Sequence, residues 1–184
     1  MPELRFPDPP LTDGVVLLRP WTEDDIGPAT AAVQDPEIPR HTRVPENQTE
    51  AMTREFFEAQ TPARKSGEAI TFAITDAETG AYCGACSLLR LHWEEDRGEV
   101  GYYLAREARG RGFATRAVKL LAPWGIRTLG LGRIGLHADV DNPASQAVAE
   151  RAGFTREGVA RAFEERKGVR YDLVIFSLIA SDLE

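Results

Sequence analysis

The sequence predicts a mixed α+β fold, and three observations carry that prediction. Stretches whose apolar residues alternate at period two are interleaved with stretches at helical spacing, in the order β-α-α-β-β-β-α-β-α-β-β. Two pairs of strand-like runs are joined by short turn sequences, "ETG" and "ERKG", as hairpins require. No repeat, low-complexity tract or linker divides the 184 residues, so one domain over 1–184 with a single core is expected.

Each element has its own signature. "VVLLR", ended by Pro20, reads as the first strand. Thr22 with Asp25 three residues on reads as a capped helix start. That helix is expected to fade at "DPEIPRH", where Pro36 and Pro39 disfavour continuation. Asn47 and Glu50 predict a second start, with Met52, Phe56 and Ala59 on the apolar face. From Ala69 the period changes: "AITFAITD" and "AYCGACSLLRL" form a hairpin, and "EVGYYLA" follows the loop "HWEEDRG" as a third strand.

An arginine–glycine loop then opens a helix with Ala114, Ala117, Val118 and Leu121 on one face. Pro123 is expected to kink or end that helix. "RIGLHADV" is a strand, and "ASQAVAERAG" a short helix stopped by Gly153. The last two strands are antiparallel, with alternation at Tyr171, Leu173 and Ile175.

Composition narrows the function. Apolar residues make up 42% and charged residues 28%, ordinary for a soluble globular protein, and no apolar run approaches membrane-spanning length. The N-terminal segment has no signal-peptide pattern and neither end a lipidation motif, so a cytoplasmic protein is expected. A formal net charge of -7 argues against nucleic acid as the main partner. His41, His92 and His137 are scattered, without the close spacing of a shared metal site, so no metal is expected. Cys83 and Cys86 form a C-x-x-C, but they sit in strand-like sequence without the helix start that redox chemistry needs, and read as structural.

Against this acidic background, "YYLAREARGRGFATRA" concentrates Arg106, Arg109, Arg111 and Arg116 around Gly110 and Gly112. The loop links a strand directly to a helix, which puts the unpaired N–H groups and positive dipole end of the helix at the mouth of the sheet. Glycines let an anion approach those N–H groups, so a phosphate is expected there. The spacing is neither that of the P-loop nor that of the dinucleotide fingerprint.

"RGRGFA", Arg109 to Ala114, resembles the R/Q-x-x-G-x-G/A signature of the GNAT superfamily of N-acetyltransferases. "GEVGYYL", "DVDNPASQAVAERAGFTREG", "LLRPWTEDD" and "DPEI" are similar to further segments of that superfamily in the same order, so the resemblance covers essentially the whole chain. It is nearest to the RimJ/RimL type, which acetylates ribosomal-protein N-termini. The resemblance implies a mostly antiparallel, twisted sheet of about seven strands flanked by helices. It implies acetyl-CoA as cosubstrate, without a metal. It also implies transfer to a primary amine, a protein N-terminus or a small molecule, by direct attack in a ternary complex. The alternative in another class is an acyl-CoA-binding module that has lost catalysis. Monomer and homodimer both remain open.

By the same resemblance, Arg109, Gly110, Arg111, Gly112, Phe113, Ala114 and Thr115 hold the coenzyme's phosphates. Tyr102, Tyr103 and Leu104 line the pantetheine arm and polarise the thioester. Asn142 contacts the pantetheine amides, and it also suits a helix cap. Ala149 stands where many members carry a tyrosine proton donor, and Ser145 takes the place of the serine used by the ribosomal branch. The amine must be deprotonated, since an α-amine has a pKa of about 8 and a lysine-type amine about 10.4. Glu164 aligns with that branch's base and Glu99 is the rival, with Glu165, facing the other way, as the natural control. Glu94, Glu95 and Asp96 in "HWEEDRG" are expected on the acceptor side, attracting a cationic amine, with Trp21 and Trp93 as walls or core.

Overall fold

The computed structural model describes residues 2–184. In chain order the elements are β1 (Leu11–Thr12), β2 (Val16–Arg19), α1 (Ile26–Val33), α2 (Glu37–His41), α3 (Glu50–Ser66), β3 (Ile70–Asp76), β4 (Tyr82–His92), β5 (Arg97–Leu104), α4 (Phe113–Leu129), β6 (Arg133–Asp139), α5 (Pro143–Arg151), β7 (Thr155–Arg166) and β8 (Val169–Ile179). The strands form one sheet of eight, ordered β1-β2-β3-β4-β5-β6-β8-β7. The additional strand over the expected seven is the two-residue β1, which pairs with β2 through Leu11–Leu18 and Thr12–Leu17.

The first helix starts as its sequence predicts. The Asp25 carboxylate accepts the Thr22 N–H at 2.7 Å, and Arg19 binds the same carboxylate with two nitrogens, at 2.7 and 2.8 Å. α1 ends at Val33, just before this proline segment, as expected, but the segment at Pro36 and Pro39 is itself helical. It forms α2, with Pro36 as N-cap and Pro39 in the first turn, where backbone N–H groups have no helical partner to lose.

The start and the face of α3 both differ from expectation. Thr49, not Asn47, caps it, accepting Met52 N at 3.3 Å; Asn47 sits in a left-handed turn before it. Met52, Phe56 and Ala59 are exposed, while Thr53 and Phe57 are buried. Adjacent phenylalanines make the helical phase ambiguous, and Trp21 decides it by stacking on Phe57, with ring centroids 4.8 Å apart.

One face of the sheet packs on α4 and α5. Ala114, Ala117, Val118 and Leu121 are buried there as expected, beside Phe72, Phe113 and Phe176. Burying a side chain of this size contributes about 1.5–3 kcal/mol. Pro123 neither ends nor splits α4, which runs on to Leu129. In β8 the set packed on the helices is Val174, Phe176 and Leu178, one residue out of phase with the expected alternation. Leu173 and Ser177 on its other face are buried as well, so periodicity alone does not choose the inner one.

The other face carries α1 and α3 over Ile26, Ala29 and Phe57, with Trp21 and Tyr82 packed against them. All neighbouring strands are antiparallel except β5 and β6. That parallel pairing covers only Arg97–Glu99 against Arg133–Gly135. Beyond it β5 stays with β4 to Leu104, and β6 stays with β8 to Asp139. The sheet therefore forks.

Candidate active site

A cleft of about 1100 Å³ occupies this fork, and side chains from both faces of the sheet line it. Alternation along β5 sends Val100, Tyr102 and Leu104 toward α4 and α5, and Glu99 and Tyr103 toward α1 and α3. Ala105 N donates to Cys83 O on β4 at 2.8 Å, so the preceding alternate residues, Leu104 and Tyr102, turn their N–H groups into the fork.

At one end of the cleft, Gly110 and Gly112 have φ of +73° and +80°. This left-handed backbone costs a residue with a Cβ about 1–2 kcal/mol, and the space over both glycines is open to 4 Å. The first helical hydrogen bond of α4 runs from Arg116 N to Gly112 O. The N–H groups of Gly112, Phe113, Ala114 and Thr115 precede it and lie at the positive end of a 17-residue helix. This backbone cradle fits the phosphates of a coenzyme A molecule.

The arginines of the loop are occupied differently from the glycines. Arg109 donates to Leu104 O at 3.1 Å and pairs with Asp35 at 2.9 Å. Arg111 pairs with Asp76 at 3.0 Å and lies 4.4 Å over the Phe113 ring, and Arg116 pairs with Asp13 at 2.6 Å. Carboxylates thus tie three of these cations to the fold, and the loop's shape depends on them.

At mid-cleft Tyr102 Oη and Ser145 Oγ lie 3.0 Å apart. Burial pushes the Tyr102 phenol up to about 12, against the hydrogen bond from Ser145. Asn142 caps α5, its Oδ1 accepting Ser145 N at 3.0 Å, which fixes where the serine stands. Tyr103 points to the opposite face and bonds Tyr82 at 2.8 Å between hydroxyls.

The far end is ionic. Glu164 Oε1 accepts from Arg43 Nη2 and Arg90 Nη2, both at 2.8 Å, and Arg90 also reaches Glu99 at 2.8 Å. Burial raises the Glu164 pKa, but these arginines outweigh it and hold the carboxyl below its ordinary range. Glu165 instead accepts Gly168 N in the turn.

His137, on β6, lines the cleft beside Glu99, with Nδ1 3.4 Å from Glu99 Oε2. Sequence reasoning missed His137 because it weighed the histidines only as metal ligands. The one available signal was that residue 137 alternates with the core residues Leu136 and Ala138, and so faces the opposite side.

The acidic loop does not join the site. Glu94, Glu95 and Asp96 are not among the cleft's lining, Glu95 pairs with Arg97, and Trp93 packs on the core while donating to Gly67 O at 2.8 Å. The bulk of Trp93 turns this loop toward the end of α3. His41, Asp139 and Asp141 approach one another, but Arg166 and Arg40 already neutralise the two carboxylates. Cys83 and Cys86 are buried, free thiols in β4, and burial raises the pKa of both.

A forked sheet, with an anion cradle at one end and a paired hydroxyl in the gap, defines a transferase that draws an acyl group from a coenzyme A thioester. Comparison with known proteins agrees. Residues 16–155 match the Acetyltransferase (GNAT) domain. The chain is 30% identical over 169 residues to the Uncharacterized N-acetyltransferase p20 of Bacillus licheniformis, covering 92% of this chain and 88% of that one. It is 27% identical over 132 residues to the Ribosomal-protein-serine acetyltransferase of Escherichia coli, covering 72% and 73%. Mycobacterium smegmatis RimJ, solved with CoA-disulfide, shares the fold with a TM-score of 0.83 at 21% identity, over 95% of this chain and 87% of that one. The chain belongs to the GNAT acetyltransferase family, with relatives of the RimJ/RimL type, and acetyl-CoA is its acyl donor. No helix among the described residues is long and apolar enough to cross a membrane.

Proposed function

We propose that the chain, acting as one cytoplasmic domain, transfers an acetyl group from acetyl-CoA to a primary amine by direct attack, with donor and acceptor held together in the fork. The observation that carries this reading is the fork itself. It joins the α4–α5 face, with its cradle and its hydroxyl pair, to the α1–α3 face, with its ionic cluster. The two reactants then enter from opposite sides and meet without crossing.

In this reading the N–H groups of Gly112 to Thr115 bind the phosphates, while Arg109 and Arg111 hold the loop in shape. The N–H groups of Tyr102 and Leu104 lie along the pantetheine arm and the thioester carbonyl, where fixed donors stabilise developing negative charge. Ser145, backed by the Tyr102 hydroxyl, supplies a proton to the departing sulfur. Asn142 positions Ser145 and presents its amide to the arm. Glu164 orients Arg43 and Arg90 at the acceptor mouth, and their grip makes it a weak proton acceptor.

The acceptor is a primary amine, and a protein N-terminus is favoured because the mouth carries Arg43 and Arg90 instead of a free acidic patch. A polycation gains little there. The test is release of coenzyme A thiol from acetyl-CoA with a peptide bearing a free α-amine and with spermidine. Faster turnover of the peptide supports the reading. Faster turnover of spermidine contradicts the choice of acceptor, and no release with either contradicts catalysis by this cleft.

A further inference from the structure

Glu99 and Gly135 are the last paired residues of β5 and β6 before the fork opens. At Gly135 a side chain is missing where one would intrude. A Cβ built there lies 3.3 Å from His137 Nε2 and 3.6 Å from Glu99 Cγ. The glycine makes room for the imidazole and for Glu99, which sit together at the base of the fork and both line the cleft. His137 Nδ1 is buried, has no hydrogen-bond partner among the described residues, and lies 3.4 Å from Glu99 Oε2. Phe163 holds the ring edge-on, with centroids 5.4 Å apart. With Nδ1 turned to Glu99, Nε2 is the ring nitrogen left to take a proton.

We propose that the acceptor amine docks in the cleft beside His137 and gives its proton to His137 Nε2, while Glu99 steadies the resulting imidazolium through Nδ1. The proposal deepens, and rests on, the reading of the cleft as an acetyl-transfer centre. Glu164 competes poorly for this role because Arg43 and Arg90 both bind one of its oxygens. The charged groups facing the imidazole are Glu99 on β5, Arg90 on β4, Glu164 on β7 and Arg133 on its own strand. Burial lowers its pKa, against the pull of Glu99, so the ring is neutral and able to accept a proton at neutral pH.

The protons balance. Of the three on the incoming ammonium, one stays on the amide nitrogen. One passes through His137 to solvent, and the third matches the proton that Ser145 relays to the sulfur. The amine lone pair forms the C–N bond, and the electrons of the broken C–S bond leave on sulfur.

The test is kcat/KM against pH for the full chain with acetyl-CoA and three probe amines: benzylamine, a peptide with a free α-amine, and spermidine. His137→Gln is expected to lose roughly 100-fold in kcat/KM and to lose the acid-side limb of the wild-type profile. Exogenous imidazole is expected to restore part of the rate to His137→Gly. Glu164→Gln is expected to retain the limb, and Gly135→Val, which presses on the imidazole, to lower kcat/KM while coenzyme A affinity by calorimetry is unchanged. A His137→Gln enzyme that binds coenzyme A and keeps both rate and limb overturns the proposal but leaves the transfer centre standing. Wild-type protein that binds coenzyme A yet acetylates none of the three probes overturns both.

Discussion

The hydroxyls of Tyr102 and Ser145 meet across the fork at 3.0 Å, joining β5 to the first turn of α5. Burial raises the Tyr102 pKa to about 12, so the phenol keeps its proton at neutral pH, as the proposed role of the pair as proton donor requires. Ser145→Ala is expected to lower kcat roughly 100-fold with the KM for acetyl-CoA little changed. Tyr102→Phe is expected to lower it less. The double variant should be no slower than Ser145→Ala, since groups acting as a unit are not additive. Steady-state kinetics of the three variants check this.

The cradle at α4 depends on backbone that only glycine adopts cheaply. Gly112→Ala forces a Cβ into φ of +80° and is expected to destabilise the fold by about 1 kcal/mol. It should also weaken coenzyme A binding. Arg106→Ala, in the same loop but with no ion pair among the described residues, should change stability little. Urea unfolding and calorimetric titration read the two effects separately.

Asp139 and Arg166 form a buried ion pair, with Arg166 also lying 4.0 Å over the Tyr171 ring. Removing one partner leaves a buried charge with only its second contact, His41 at 2.6 Å from Asp139 or Glu164 at 3.4 Å from Arg166. Asp139→Asn or Arg166→Met is expected to cost about 3–5 kcal/mol by urea unfolding, and the paired change Asp139→Asn with Arg166→Met less than the sum.

Glu157 titrates at the edge of the sheet. Hydrogen bonds from Arg133 first, and then from the Ser177 hydroxyl, bring its pKa from 4.5 down to about 2. The folded value is depressed, so the stabilisation is complete above pH 4.5 and is lost as pH falls through about 2. Glu157→Gln should flatten the acid limb of the stability profile within that window. Thermal unfolding across acid pH shows whether it does.

Much of this was legible in the chain because the relevant signals are local. Gly110 and Gly112 announce their left-handed turn, and Thr22 and Asp25 their helix start, through residues that touch only near neighbours. Cys83 and Cys86 were legible as strand residues for the same reason. Where long-range packing decides, the sequence was silent or misleading. Trp21 chooses Phe57 over Phe56 as the buried ring, and nothing within α3 encodes that choice. Arg43, Arg90, Glu99, His137 and Glu164 come from five places in the chain and share one cluster only because the sheet forks. That is why the sequence shows neither the two arginines that hold Glu164 nor the place of His137 beside Glu99.

The account stands or falls on the cradle at the start of α4. The most direct measurement is calorimetric titration of coenzyme A into wild-type protein and into Gly112→Val, with ATP as the control ligand. Coenzyme A should bind the wild type, ATP should bind far more weakly, and the folded variant should lose coenzyme A affinity by at least about tenfold, or about 1.4 kcal/mol. Equal coenzyme A binding by wild type and variant, or none by either, would contradict the assignment of the phosphates to this loop.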